Sequence, residues 1–343
     1  MKAIDLFCGA GGLTNGLRRA GWDVVAGIDV DAAVGPTYRR NNPGSRFVQA
    51  DLRLIKNDDV RDLAQGIHSR ELLLAGCAPC QPFSKQRGRR GIRERSDATL
   101  LREFARLVAA LRPRAVLMEN VPGIAAVPGF SAFRRFVRTL RELGYDCDEC
   151  VLNARDFGVP QHRRRRVLQA IHDAPVWLPS SSPSGAGDND LTVRSAIERF
   201  PPIEAGEAHP HILNHYAAKL SPLNLARIKA TPTDGGSRRD WHSRLVLECH
   251  RPEGTGFSDV YGRMWWDRAA PTLTSRCNSL SNGRFGHPEQ HRAISLREAA
   301  ALQSFSDDYD FFGSRNAIAR WIGNAVPVAF AEVLGAATMK AAG

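Results

Sequence analysis

The stretch Ala3-Ile-Asp-Leu-Phe-Cys-Gly-Ala-Gly-Gly12 decides the fold class. Its first five residues are apolar enough for a strand, and Leu13, Leu17 and Ala20 repeat at helical spacing after the glycines. Glycines between a strand and a helix let the backbone approach a ligand closely and turn amide N–H groups toward it. The sequence therefore predicts an α/β fold with a ligand-binding first turn.

Two further predicted strands each end in an acidic residue. Val24 to Ile28 is followed by Asp29, and Phe47 to Ala50 is followed by Asp51. Open α/β sheets bind ligands at the carboxyl ends of their strands, where acids suit the hydroxyls and amino group of a nucleoside. Acids at these positions are also common helix caps. The pattern thus favours a nucleoside site and leaves capping as the alternative.

The candidate nucleophile is Cys80, in the stretch Gly76-Cys-Ala-Pro-Cys-Gln-Pro-Phe-Ser84. This stretch follows the apolar run Leu72 to Ala75, so the thiol is expected just beyond the end of a strand. Pro79 and Pro82 have fixed φ angles and should hold the turn stiff. A thiol held in one direction indicates a nucleophile, although a cysteine is also often a small buried side chain.

An acidic residue is predicted beside that thiol. Ala115 to Met118 reads as the next strand and delivers Glu119 to the same edge of the sheet. An acid next to a nucleophile at adjacent strand ends can serve as an acid/base group. The alternative is a carboxylate that only caps the following turn.

The charge balance points to a polyanionic partner. The 343 residues contain 47 Lys plus Arg against 36 Asp plus Glu, a formal charge of +11. Six of the basic residues lie between Lys85 and Arg95 with one acid and two glycines. This segment is too polar for a packed helix, so it is expected to be a loop that can close over a phosphate backbone.

The chain carries neither a signal peptide nor an apolar run of transmembrane length by sequence, so we expect a cytoplasmic protein without membrane partners. Its seven cysteines should stay reduced there. Cys77 with Cys80, and Cys147 with Cys150, form two CxxC pairs that raise a zinc or redox alternative. Predicted helices and strands separate the pairs, which disfavours one zinc centre, and we expect no metal.

The second half of the chain is basic and then irregular. Gln161 to Arg166 carries four consecutive arginines before the predicted strand Val167 to Ala170, and alternation would turn Arg163 and Arg165 to one face. A linker composition follows from Leu178. His209, His211 and His215 lie within seven positions and are expected on a polar surface rather than at a metal. Further on, Ser295-Leu-Arg-Glu298 is a capping box that opens a helix.

Five of these motifs occur together in a known order. They are Asp5-Leu-Phe-Cys-Gly-Ala-Gly-Gly12, Pro79-Cys80-Gln81, Glu119-Asn-Val121, Gln161-x-Arg163-x-Arg165 and Gly323-Asn324-Ala-Val-Pro327. In this order the chain resembles the DNA (cytosine-5)-methyltransferase family, of the prokaryotic modification type, from residue 4 to about residue 330 except in a middle segment. Asp29 departs from the pattern, because the family carries Glu there.

The resemblance implies a Rossmann-like, S-adenosylmethionine-dependent catalytic domain with a smaller target-recognition domain. The catalytic domain would comprise residues 1–180 and 315–343, and the recognition domain residues 181–314. S-Adenosylmethionine would be the methyl donor and S-adenosylhomocysteine the product. The implied cofactor contacts are Phe7, Gly9, Gly11, Asp29, Asp51, Pro79, Asn324 and Val326.

The resemblance also implies a mechanism and a partner, double-stranded DNA. Cys80 would attack carbon-6 of a flipped cytosine while Glu119 binds its ring nitrogen-3 and exocyclic amine, with Arg163 and Arg165 holding the nucleotide. Implied DNA contacts are Gln81, Ser84, Lys85, Arg87, Arg89, Arg90, Arg238 and Arg239. A monomer, with a cognate restriction endonuclease as possible partner, is expected.

Two alternatives share parts of this pattern. A transfer-RNA cytosine-5 methyltransferase would carry every catalytic residue, but the long middle segment favours DNA. A non-catalytic DNA-binding regulator on the same fold should have lost Cys80 or Glu119, and the chain keeps both.

Overall fold

The computed structural model describes residues 1–78, 92–125, 131–180, 191–250 and 259–343. The chain divides into two compact units. Unit 1 comprises Met1–Phe157, Arg164–Pro183 and Val326–Gly343, and unit 2 comprises Gly158–Arg163 and Ser184–Ala325.

The helices and strands follow in this order: β1 Lys2–Leu6, α1 Gly12–Arg19, β2 Asp23–Asp29, α2 Gly35–Asn41, β3 Arg46–Gln49, α3 Asn57–Leu63, β4 Leu72–Gly76, α4 Ile92–Leu111, β5 Ala115–Asn120, α5 Ser131–Glu142, β6 Tyr145–Asn153, β7 Arg164–His172, α6 Val193–Ile197, α7 Pro222–Ala230, α8 Leu296–Leu302, α9 Arg315–Asn324 and α10 Val328–Ala342. The short helices α2 and α3 were not anticipated from the sequence.

Unit 1 is built on one seven-stranded sheet, which confirms the predicted α/β fold. The strand order is β3-β2-β1-β4-β5-β7-β6, with β1 to β5 parallel and β7 antiparallel to both neighbours. The order reverses between β1 and β4, and ligands of such sheets bind at the carboxyl ends of the strands at this point. β4 and β5 are buried along their whole length, as their continuous apolar runs require.

The last helix closes unit 1 against its first helix. A Cβ atom on Gly16 of α1 would lie 2.4 Å from the Cβ of Ala331 in α10, so the contact requires glycine. The indole Nε1 of Trp22 donates to the carbonyl oxygen of Gly335 over 2.9 Å. The amino-terminal strand–helix unit is therefore packed against the final helix of the chain.

Unit 2 is held together largely by buried arginines. Arg263 is fully buried and its guanidinium donates to five backbone carbonyls, those of Ile228, Thr231, His287, Glu289 and Gln290, over 2.6 to 3.0 Å. Burial lowers the pKa of Arg263 to about 10. Arg292 is also buried and makes two hydrogen bonds of 2.7 Å to the Glu298 carboxylate.

The predicted capping box at α8 is confirmed. The Ser295 hydroxyl accepts from the Glu298 amide over 3.0 Å, and the Glu298 carboxylate accepts from the Ser295 amide over 2.7 Å. The expectation of a surface position for His215 is wrong. Its side chain is 1% exposed, because its ring nitrogens bond the Ser295 hydroxyl and the Pro201 carbonyl.

The compact units differ from the predicted domain bounds at residues 158–163 and 315–325, which belong to unit 2. The reason is a buried polar cluster. Gln161 donates to the Leu302 carbonyl and the Gln303 side chain, and accepts from the Leu273 amide over 2.9 Å. Gln303 in turn donates to the Ile322 carbonyl over 2.7 Å.

By length and composition alone, the segment Arg315–Ala342 could cross a membrane. Of its most apolar window, 61% is buried inside the fold. Core helices of soluble proteins share these properties, and here the segment consists of α9 and α10.

The second CxxC pair lies on strand β6. Cys147 pairs with Ala170 and Cys150 with Val167, so the two side chains point to opposite faces of the sheet. They cannot bind one ion together. Within the described ranges, no group of three His, Cys, Asp or Glu side chains is arranged to hold a metal ion.

Candidate active site

The first turn of unit 1 has the geometry of a ligand cradle. Phe7, Gly9 and Gly11 have φ angles of 60°, 50° and 90°. This left-handed conformation is natural for glycine and uncommon for a bulky residue such as Phe7, and such strain concentrates at binding sites. Among the described residues other than its chain neighbours, none places an atom within 4 Å of the position that a Cβ on Gly9 would take.

Asp29 closes this turn from the end of β2. Its carboxylate accepts from the Gly9 amide over 2.9 Å and from the Asp31 amide over 2.8 Å. Burial raises the pKa of Asp29, and these amide bonds lower it in part. The acid at the second strand end therefore lies at the glycine turn, and its contact with a ribose stays a prediction.

Val30 was missed by the sequence reasoning. Its side chain follows Asp29 and is 63% exposed, although valine directly after a buried strand is usually covered. A carboxylate and an exposed apolar surface side by side fit the ribose hydroxyls and the base of a nucleoside. The residues present at this edge thus fit S-adenosylmethionine. Val30 could have been found in the sequence as the apolar residue that directly follows a strand-end acid.

Asp51 follows β3 and is engaged with a neighbour. Its carboxylate accepts from the backbone amide of Arg53 over 3.0 Å and from Nε of the same arginine over 2.9 Å. The hydrogen bonds from Arg53 lower the pKa of Asp51. A contact between Asp51 and an adenine stays a prediction.

A buried polar chain lies behind the glycine turn. Asp5 in β1 is fully buried and accepts from the Thr14 hydroxyl over 2.6 Å; Thr14 contacts Tyr38, which contacts Ser45. Burial raises the pKa of Asp5 to about 7. Sequence reasoning used Asp5 only as part of a motif, and its burial could not be foreseen from an acid within an apolar strand.

Glu119 lies at the carboxyl end of β5 and is 2% exposed. Nε of Arg165 lies 2.8 Å from its Oε1 atom. Strand β7 runs antiparallel to β5, with Glu119 opposite Val167, so the beginning of β7 reaches the edge where the parallel strands end. The structure therefore brings together two of the residues expected to act on the cytosine.

Two contacts link the end of β5 to the residues after β4. The thiol of Cys77 lies 2.8 Å from Oε2 of Glu119. The side-chain amide of Asn120 donates to the carbonyl oxygen of Ala78 over 2.9 Å. Sequence reasoning treated Cys77 only as half of a CxxC pair, and its spacing gave no sign of a contact with Glu119.

A family model described as C-5 cytosine-specific DNA methylase matches residues 1–340. The chain belongs to this family. It is a DNA (cytosine-5-)-methyltransferase, which confirms the resemblance seen in the motifs. The Type II methylase M.HgiDII of Herpetosiphon aurantiacus is 40% identical over 96% of this chain and 93% of that protein. The Type II methyltransferase M1.HphI of Haemophilus parahaemolyticus is 35% identical over 98% and 86%.

Solved structures share the fold. One, from E. coli, is described as a DNA modification methyltransferase encoded within a prophage; it has a TM-score of 0.75 at 23% identity and covers 99% of both chains. The Dnmt2 methyltransferase of S. pombe has a TM-score of 0.66 at 19% identity, over 99% of this chain and 98% of that one. The family and the fold imply S-adenosylmethionine as cofactor.

Several expected residues of this methyltransferase lie outside the described ranges. They are Pro79, Cys80, Gln81, Ser84, Lys85, Arg87, Arg89 and Arg90. Their roles stay predictions. The described chain reaches Ala78, two residues before the expected nucleophile.

Arg163 does not share the position of Arg165. Strand β7 begins at Arg164, so the alternation expected of a strand does not extend to Arg163. This side chain is 2% exposed, and its guanidinium donates to the carbonyls of Leu273, Gly323 and Ala325 over 2.9 to 3.1 Å. In the methyltransferase Arg163 binds backbone carbonyls within unit 2, and its contact with a nucleotide stays a prediction.

The remaining expected residues fall in both units. Asn324 is the exposed last residue of α9 in unit 2, and Val326 is buried before α10 in unit 1. Arg238 and Arg239 form one turn of 3-10 helix in unit 2, capped by the Ser237 hydroxyl, with Arg239 exposed and Arg238 half-buried. Their cofactor and DNA contacts stay predictions.

Proposed function

We propose that this methyltransferase methylates carbon-5 of a cytosine that has been rotated out of double-stranded DNA, through a temporary covalent bond to Cys80. The observation that carries the proposal is the buried Glu119 carboxylate. It lies at the carboxyl edge of the sheet, 2.8 Å from Arg165 and 2.8 Å from the thiol of Cys77. Cys80 follows Cys77 by three residues.

The chemistry needs both residues because carbon-5 of cytosine is a weak nucleophile. The Cys80 thiolate adds to carbon-6, while Glu119 holds a proton at ring nitrogen-3 and accepts from the exocyclic amine. Carbon-5 becomes enamine-like and takes the methyl group, which bound S-adenosylmethionine supplies. Loss of the carbon-5 proton to a base and expulsion of the thiolate restore the ring. The products are 5-methylcytosine, S-adenosylhomocysteine and one proton.

The cofactor is proposed to bind at the glycine turn. Asp29 would accept from the ribose hydroxyls, and the exposed Val30 would contact the adenine. The other proposed contacts are Phe7, Gly9, Gly11, Asp51, Pro79, Asn324 and Val326.

The reacting carbon is inaccessible in a stacked duplex, and rotating the nucleotide out costs roughly a few kcal/mol. The basic segment from Lys85 to Arg95 would offset part of this cost by binding phosphates. Gln81, Ser84, Lys85, Arg87, Arg89 and Arg90 are the proposed contacts there, with Arg238 and Arg239 in the target-recognition domain.

The Type II relatives suggest the biological setting. We propose that the protein modifies a specific DNA sequence as a monomer, in the cytoplasm at the nucleoid, beside a cognate restriction endonuclease. Purification with and without neighbouring genes of its system would test for that partner.

Bisulfite sequencing of DNA from cells that express the protein tests the reaction and its site together. Duplex DNA and transfer RNA should be compared as acceptors of labelled methyl groups, with only the duplex accepting. Cys80→Ser should lower turnover by roughly 10⁴-fold or more and form no adduct with 5-fluorocytosine DNA, while still binding duplex and cofactor. Wild-type turnover in this variant, or methylation of transfer RNA alone, would overturn the proposal.

A further inference from the structure

The carboxylate of Glu119 has a neighbour on each oxygen. Arg165 of β7 lies 2.8 Å from Oε1, and the thiol of Cys77 lies 2.8 Å from Oε2. Glu119 is buried and Cys77 is half-buried. Among the described residues Oε1 accepts no hydrogen bond, so Arg165 contributes charge, and the thiol of Cys77 supplies the directed contact that can fix the rotation of the carboxylate plane.

The direction of the thiol contact follows from its chemistry. The Cys77 S–H group donates and Oε2 of Glu119 accepts, because a carboxyl oxygen beside an arginine is the acceptor of the pair. Hydrogen bonds to a charged acceptor are stronger than those between neutral groups. A glutamate side chain loses rotamer entropy when it is fixed in one orientation. Because the thiol already holds the side chain, less of this entropy has to be lost when the substrate binds and reacts.

The backbone around Cys77 is tied to the same strand by a second bond. Asn120 donates to the Ala78 carbonyl over 2.9 Å, and its own side-chain oxygen accepts from the Val121 amide over 2.8 Å. Two consecutive residues after β4 are thus joined to two consecutive residues at the end of β5. Because Ala78 is 1% exposed, this junction is packed as well as hydrogen-bonded.

We propose that Cys77 is a positioning residue for the methyl transfer. Its thiol donates to Oε2 of Glu119 and holds the carboxylate in the orientation that meets the pyrimidine edge. The thiol touches neither substrate nor cofactor and forms no covalent bond. The inference rests on the proposed role of Glu119.

Two substitutions of Cys77 test this role. Cys77→Ala removes the donor, and Cys77→Ser restores one. We expect Cys77→Ala to lower kcat by about 10-fold, the usual effect of losing a hydrogen bond to a charged group. KM for duplex DNA, the Kd for S-adenosylmethionine and Tm should stay close to wild type. Cys77→Ser should recover most of kcat. Cys150→Ala removes another half-buried cysteine, on β6, and should behave as wild type.

The outcomes separate this inference from the function on which it rests. Glu119→Gln is measured in parallel and should lose nearly all turnover; if it keeps wild-type turnover, the role of Glu119 fails. If Glu119→Gln is inactive while Cys77→Ala keeps wild-type kcat, only the role of Cys77 fails. The role of Cys77 would also fail if Cys77→Ser lost as much kcat as Cys77→Ala, or if the fall in kcat were matched by a fall in Tm. Either result would mean that the cysteine only fills space.

Discussion

Unit 1 and unit 2 differ in how their buried backbone groups obtain hydrogen-bond partners. Unit 1 satisfies its backbone within a sheet and covers the sheet with apolar helices, so Leu74 of β4 and Phe104 of α4 are fully buried. Unit 2 has only four α-helices in its described part and no named strand there. Its loops leave carbonyls that need donors, and buried arginines supply them. Where the chain is irregular, a guanidinium can donate the hydrogen bonds that a sheet would otherwise supply, because it carries five donors in a fixed geometry.

The largest expected effect comes from removing one of the buried arginines of unit 2. Arg263→Met removes the side-chain donor of five backbone carbonyls. Within the described loops and turns, only two of these carbonyls also accept from a backbone amide, that of Ile228 from Thr231 and that of Gln290 from Arg292. We expect the free energy of unfolding of unit 2 to fall by about 3 to 5 kcal/mol, as for other disrupted buried polar networks. Scanning calorimetry measures the loss. Arg239→Met changes an exposed arginine in the same way and should leave Tm unchanged. A more stable Arg263→Met protein would show that unit 2 depends on apolar packing after all.

The next expected effect is a difference between the two units in how their stability depends on pH. In unit 2, burial lowers the pKa of His287 to about 3, and its Nδ1 atom accepts from the Glu289 and Gln290 amides. Between pH 6.5 and 3 the folded state binds fewer protons than the unfolded state, so stability falls as pH falls, by up to about 1.4 kcal/mol per pH unit. His287→Asn keeps an acceptor without the titration. Its Tm should depend less on pH between 7 and 5, and an unchanged slope would contradict this assignment.

Unit 1 should respond to pH in the opposite direction through Asp5. Burial raises its pKa to about 7 from an ordinary value of 3.8, so the folded state binds more protons between these values. This contribution is complete below the unfolded pKa and is lost as pH rises through about 7. Asp5→Asn removes the titration and should stabilise unit 1 at pH 8 relative to wild type. If the Tm difference between variant and wild type were the same at pH 5 and pH 8, Asp5 would not be the source of this pH dependence.

The smallest effect concerns the surface of unit 2. Arg239 is exposed beside a glycine-containing turn, and Arg239→Ala should weaken duplex binding by about 1 kcal/mol. If the contact is to phosphate, the slope of log affinity against log salt should become shallower by about 0.9. Lys219→Ala removes another cation of unit 2 as a control. Unchanged affinity and slope for Arg239→Ala would remove this residue from the interface.

The same contrast explains which features could be predicted from sequence. The parallel strands β1 to β5 were found within two residues because continuous apolar runs mark buried parallel strands, whereas the antiparallel β7 begins three residues before its prediction. Glu119 and Asp29 followed from those strand ends. Arg163 was misplaced because the alternation rule was applied one residue before the strand starts. Arg263 gave no signal, because an arginine in sequence is typical of a surface, and its acceptors, in α7 and in loops, lie 24 to 35 residues away.

The packing of α10 on α1 has a consequence for biosynthesis. Gly16 and Trp22 are translated more than 300 residues before their partners Ala331 and Gly335. Until then the indole donor and the small-residue face of α1 are uncovered in the nascent chain. Unit 1 can therefore be completed only after residues 184–325 of unit 2 have been translated, and chaperones would until then meet a chain in which α1 lacks its partner α10.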